Sequence, residues 1–475
     1  MLVVAVSIGS AAVTAAGATA APTRTASAPV GFSRPYQIAA PVNRDRLAPV
    51  LAYSPNDTVA AAFGSFNEDE PGSSSASLAT RRPTGSFGAV RTVPGAQQVL
   101  SLAYPGQNLE LLAGTSPHVL EFGTLEPCCS KVEAIPVTPT GGFGADHTVV
   151  SGLNGATQAD LIPFQGRLLA AVATEEGVWT AQSDTHGRFG PTRAMNLGGA
   201  FVEAMDAAAY GQGQTIVVWT ARTSQFEPGP ITIYDARGTT SAAPAAPAVA
   251  VTVPASHEID QLVVAAHGSV PTVAWIESWF DSAGGFHSQA FAEDLAGRHI
   301  AQPLSSRSTL ASGLALAAGA GDAQVVAFRA CSTSGSCTVQ AETRTAGRFG
   351  PAQTLGRIDG SQLPAVAESA FGTALVGWVN TLGNVDAAVA TAPTHHFRGT
   401  YRASATGYAA DLALAIAPSG TSATAVWTQG TLNESVVGST FTGPPLPKTP
   451  PATKKKKRTT GSHRDPAASG TTKPY

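Results

Sequence analysis

The sequence predicts an all-β fold, a β-propeller of about eight four-stranded blades, and three observations carry that reading. A unit of roughly 50 residues recurs along the chain. Charged residues make up only 13% of it, about half the usual ~25%, so much of the backbone must sit in strands covered on both faces. Gly (49) and Pro (34) are frequent, which suits many tight turns and disfavours long helices.

Each unit has two anchors. The first is a Gly-x-Phe-Gly turn entering a short strand, with Phe87, Phe143, Phe189 and Phe349 as its aromatic residues and weaker versions at Phe32 and Phe397. The second is an apolar strand ending in an aromatic: Phe63, Trp219, Trp275, Phe328, Trp378 and Trp427. NLELLAG and RLLAAVAT hold that place in the second and third units, whose divergence leaves seven blades as the alternative count. A unit reads as strand 1, tight turn, aromatic-ended strand 2, longer loop, strand 3, Phe-Gly turn, strand 4. Strands 1 and 2 are nearly continuous apolar runs, and the aromatic anchors are expected between neighbouring blades.

The two ends of the array complement each other. The last unit has DLALAIAP, SATAVW and ESVVGSTF and then runs into GPPLPKTPP without a fourth strand. An unpaired fourth strand, GFSRPYQIA, instead precedes the first unit. An N-terminal outer strand lent to the last blade would close the ring.

Around residues 31–443, the expected propeller, lie segments of other character. The first 21 residues form a short apolar run ending in Ala-Thr-Ala before Ala21, the pattern of a secretory signal with cleavage near Ala20, although it lacks a basic start. Residues 22–30 read as a linker. Residues 444–475 read as a disordered, Pro/Thr-rich tail with eight basic residues against one acidic one. The remainder then holds 21 basic and 31 acidic residues, a net charge of −10. Such a body excludes nucleic acid as a partner, because phosphate binding needs clustered basic charge. No later segment reads as a membrane span. Lys454, Lys455, Lys456, Lys457 and Arg458 would suit anionic wall polymers or lipid headgroups, or serve only as a solvated tail. The expected location is secreted or at a bacterial cell surface. Cys331 and Cys337 bracket a Gly/Ser turn and are expected to form a disulfide across a hairpin, while adjacent Cys128 and Cys129 are left open between bonded and free states.

Two sets of polar residues gather on the face where the 2–3 and 4–1 loops open, the face on which a rigid scaffold carries function. One recurs with the repeat just before strand 1: Asp45, Gln98, Asp160, Asp206, Asp260, a break at Ser312/Gly313, Gln362 and Asp411. As an axial ring, Asp160, Asp206, Asp260, Gln362 and Asp411 would hold sugar hydroxyls or a divalent cation, though no cofactor is required. Their other reading is local, bonding nearby backbone N–H groups at the loop-to-strand entry. The second set breaks the repeat: Glu68, Asp69 and Glu70 in one 2–3 loop, Arg222, Phe226 and Glu227 in another, and Glu277, Trp279, Phe280, Asp281 and His287 in a third. Acidic residues beside Trp279 and Phe280 have the composition of a glycan or peptide contact surface, unless the aromatics fold back onto the blade.

The pattern resembles the extracellular β-propeller repeat proteins of bacteria, a group that includes sialidase-like and FG-GAP-type propellers. The Phe-Gly turn sits where sialidase-like propellers carry their Asp-box, between strands 3 and 4. In SDTHGRF, however, Asp184 and Gly187 stand at a different separation, and no Asp-rich calcium loop of the FG-GAP kind occurs. The resemblance therefore implies the architecture without the catalytic or calcium motifs. Together these readings lead to a non-catalytic binding module for a glycan or a protein, with a sialidase-like glycan hydrolase or lyase as the alternative.

Overall fold

The structure is a computed structural model that describes residues 30–42, 45–66, 74–115, 129–195, 200–223, 230–244, 246–296, 300–319, 323–345, 347–392, 395–404, 407–431 and 433–443. The signal-like run and the basic tail lie outside those residues. Eight antiparallel sheets follow one another along the chain, which settles the count at eight blades rather than seven. The described residues contain strands and turns and no helix.

Blade 4 shows the common pattern. Its inner strand, Phe201–Tyr210, turns at Gly211 into Gln214–Arg222, and then come Thr232–Thr239 and the outer strand Ala248–Thr252. The second strand is buried along nearly its whole length, as its apolar sequence demands. The inner strand alternates buried and half-buried positions, because one edge of it faces the axis rather than another strand. Continuous burial was expected there and is not found.

The aromatic ends of the second strands lock the blades together. Trp219, Trp275, Trp378, Trp427, Phe63 and Phe328 are all essentially sealed from solvent. Trp275 packs in one cluster with Ile216, Val218 and Ile233 of blade 4, so each aromatic fills the seam toward the preceding blade. The Phe-Gly turns repeat in detail: the N–H of Gly88, Gly144, Gly190 and Gly350 each donates to a carbonyl at the end of the third strand, at 2.8–3.1 Å. Trp275→Ala should lower the unfolding free energy by about 3–5 kcal/mol, read from the urea midpoint, through lost burial and the cavity left behind.

The ring closes as the chain ends suggested. Gly31–Phe32 and Tyr36–Val42 both pair with Glu434–Thr442, the third strand of blade 8. Cys331 and Cys337 face each other across the 2–3 hairpin of blade 6 and are bonded. Cys129 is likewise buried and disulfide-bonded.

Candidate functional site at the axis

The inner strands are sheet edges, so their outward N–H groups need partners from outside their own blade. A recurrent set of side chains supplies them. Ser101 accepts from Leu161 N–H (3.1 Å), Asp206 from Val264 N–H (2.6 Å), Gln261 from Leu314 N–H (2.7 Å) and Gln362 from Asp411 N–H (3.1 Å). Gln158 does the same for Met205. Each acceptor reaches from one blade to the next, forming a girdle around the axis. Ser101, Gln158 and Gln261 are missing from the set expected from sequence. The local reading of Asp206 and Gln362 is thus partly met, but across a seam rather than within one loop.

The expected series does not lie on one level. Asp160 and Asp206 stand opposite Ala171 and Val218 within regular ladders. Asp260 and Asp411 instead occupy β-bulges, between Ile259 and Gln261 and between Ala410 and Ala413, nearer the loop face. A bulge adds a residue without advancing the ladder, so equal spacing in sequence becomes unequal height in the channel. Asp411 takes φ +50°, and the matching place in blade 6 is Gly313 at φ +61°. Gly and Asp are among the few residues that tolerate this left-handed position. The bulge residue of blade 4 is Glu203, which the sequence pattern overlooked. The Asp45 side chain is outside the described residues.

At the deeper level the Asp160 and Asp206 carboxyls are electrostatically coupled. Burial first, then the neighbouring negative charge, raises Asp160 well above the usual carboxylate range. Burial also raises Asp206, but the N–H groups of Val264 and Ala207 offset this. The two carboxyls titrate as a pair, both raised by burial, with Asp160 lifted further by the neighbouring negative charge. Nearer the mouth, Arg222 bridges Glu203 and Glu258. Glu203 is raised by burial, which the Arg222 guanidinium opposes, and the charges of Glu258 and Asp260 push it further up. Asp260 is raised by burial and steadied by Ser278 Oγ at 3.1 Å. Blades 4 and 5 therefore share a carboxyl-rich sector of the mouth around Arg222, with the Asp160–Asp206 pair of blades 3 and 4 below it. Among the described residues, no three His, Cys, Asp or Glu side chains converge as metal ligands.

The loop residues divide. Glu68, Asp69, Glu70, Phe226 and Glu227 lie outside the described residues. The 2–3 hairpin of blade 5 is described in full, with strands Val270–Phe280 and Phe286–Asp294. Trp279 lies between His257 and His287, its cross-strand neighbours, stacked at 4.8 and 5.5 Å. Both indole faces are covered, so no sugar ring can stack on them. The flanking imidazoles are held by Glu277 and Asp281. Asp281 also accepts from Ala283 N–H (2.9 Å) and Gly285 N–H (2.8 Å), closing the turn. The His287 bond, followed by those two N–H groups, holds its carboxyl below the usual range. Phe280 remains 68% exposed beside Phe286.

No protein-family model and no curated protein matches the chain. Solved structures similar to it include an α-L-arabinanase of Penicillium chrysogenum complexed with arabinobiose, at 11% identity and TM-score 0.42, covering 86% of this chain and 98% of that one. An ulvan lyase of a new polysaccharide lyase family is 7% identical at TM-score 0.44, covering 86% and 94%. A Hadza microbial sialidase is 12% identical at TM-score 0.36, covering 67% and 74%. At such identities the likeness concerns the fold alone.

Proposed function

We propose that the protein is a glycan-active propeller whose chemistry lies at the axial mouth of blades 3 to 5, as a hydrolase or lyase. The observation that carries this is the coupled, buried Asp160–Asp206 carboxyl pair together with the Glu203–Arg222–Glu258 ion pairs. Glycosidic bond cleavage needs one carboxyl that keeps its proton near neutral pH and another that is ionised. Asp160 is suited to the first role. Asp260, bonded by Ser278 Oγ and closer to the mouth, would take the second role above its raised pKa. Arg222, paired with Glu203 and Glu258, would orient an acidic or hydroxyl-bearing substrate. The Cys331–Cys337 disulfide supports an extracellular setting. Among the described residues no helix is long and apolar enough to cross a membrane.

The test is turnover on a panel of polysaccharides and chromogenic glycosides by the full chain. Asp160→Asn should lower kcat/KM on the active substrate at least 100-fold, with the urea midpoint showing the variant to be folded. No turnover across the panel would overturn this reading. A second reading, a binding module without catalysis, is favoured by one observation: Asp206 gives its oxygens to backbone N–H groups, as a scaffold residue does. Glycan retention on an affinity column without turnover would establish it.

A further inference from the structure

On the face opposite the axial carboxylates, the 1–2 and 3–4 turns of blades 1 and 2 enclose two adjoining cavities of about 320 Å³ each. Thr80, Arg82 and Pro139 line both. Arg91 lines the second and lies over Gly141, where an added Cβ would sit 3.4–3.5 Å from the guanidinium atoms. Gly141 also has φ +82°, so the turn both requires a glycine and leaves the surface on which Arg91 rests.

The charge of this place is the reverse of the body's. Among the described residues no Asp or Glu lines either cavity, although acidic residues outnumber basic ones 31 to 21 outside the tail. Neither Arg82 nor Arg91 pairs with a carboxylate among the described residues. Two guanidinium groups with no carboxylate partner among the described residues present forked donors that match a carboxylate or sulfate. The remaining lining is of a different kind. Thr140 and the Asn56 amide offer polar groups, Thr138 Oγ1 accepts from Gly142 N–H, and Tyr104 and Pro139 add apolar lining. A simple inorganic anion needs only the first feature. A ligand using all three bears an anion, hydroxyl groups and a C–H face.

We infer that the joined cavities between blades 1 and 2 bind an anionic saccharide, a uronate or sulfated sugar, with Arg82 and Arg91 on its charge. The site stands on its own residues and does not depend on chemistry at the axis.

Calorimetric titration of the full chain with trigalacturonate, a sulfated chondroitin tetrasaccharide, neutral maltotriose and inorganic sulfate tests this. At least one of the two anionic saccharides should bind, maltotriose should not, and raising the salt should weaken the affinity. Combining Arg82→Ala with Arg91→Ala should raise Kd at least tenfold; both side chains are exposed, so the fold should be unaffected. Asp160→Asn should leave this Kd unchanged, which separates the site from the axial one. Absence of binding by both anionic saccharides would overturn the inference, as would a Kd unmoved in the double variant. Inorganic sulfate binding as tightly as the saccharides would overturn its sugar component.

Discussion

Deleting the chain before Asn43 should leave a protein whose eighth blade is open to protease and whose urea midpoint falls sharply. The N-terminal strand is not an ornament on a finished ring. Phe32 packs on Phe441 with centroids 5.1 Å apart, and Phe441 in turn meets Tyr401 of blade 7 at 5.3 Å. Ile38 and Ala39 are buried in one cluster with Ala61, Phe63 and Ala79 of blade 1 and Val426 and Val436 of blade 8. Ser33 exchanges hydrogen bonds with Ser439 and Thr440. At ~2 kcal/mol per large apolar side chain, loss of Phe32, Tyr36 and Ile38 alone removes about 6 kcal/mol. The seam to blade 1 would remain, through Arg81 bonding Thr424 (2.8 Å) and Thr440, and Tyr53 bonding Thr424 (2.6 Å). Cleavage should therefore concentrate in blade 8 while the other blades resist. A synthetic peptide of residues 30–42 should restore the midpoint when added in trans. A truncated chain matching the full one in both midpoint and digestion pattern would show that the ring closes without this strand.

That closure was legible in the sequence because it is a counting argument: one strand too few at one end and one too many at the other. The blades were legible for a related reason, since buried strands and their aromatic ends recur with the scaffold. The site was less legible, and the reason is register. Asp260 and Glu203 hold equivalent bulges, yet the sequence offered Asp206 as the partner of Asp260. Nothing in the order of residues marks where a bulge consumes one of them. Pairing across strands was hidden in the same way. Trp279 reads as a bare aromatic beside acids until the ladder brings His257 and His287 against its two faces. Arg82 and Arg91 gain meaning only because a second blade lays Thr138–Gly141 over them, a contact between units that a repeat analysed unit by unit does not contain.

Glu110 and Glu342 should make the protein less stable as the pH rises, and replacing either by Gln should remove part of that loss. They are 5% and 3% exposed, and burial pushes each carboxyl up to about 8 from an ordinary 4.5. Glu110 Oε1 has no hydrogen-bond partner among the described residues, so its ionised form would stand uncompensated in a buried seam. The folded protein thus keeps protons that the unfolded chain releases above pH 4.5. When the native state binds more protons, the unfolding free energy falls with pH. The contribution is full below about 4.5, declines between 4.5 and 8, and levels off above the folded value. At pH 9, Glu110→Gln and Glu342→Gln should each be about 2–4 kcal/mol more stable than the parent chain. At pH 5 the difference should nearly vanish, because the neutral acid and the amide then present similar demands. Urea midpoints at pH 5, 7 and 9 read this directly. A Gln variant that stabilises equally at all three values would trace the effect to packing or hydrogen bonding rather than ionisation. One that destabilises at pH 9 would mean that the carboxylate has found compensation, by water entry or by movement of the seam. Glu368 offers an internal comparison: burial lifts it to about 8 as well, and both its oxygens lack partners. It lies against Gly319 of the neighbouring blade, where an added Cβ would come within 2.5 Å of its Oε1. Glu368→Gln should therefore follow the same pH dependence only if that close approach accepts the amide.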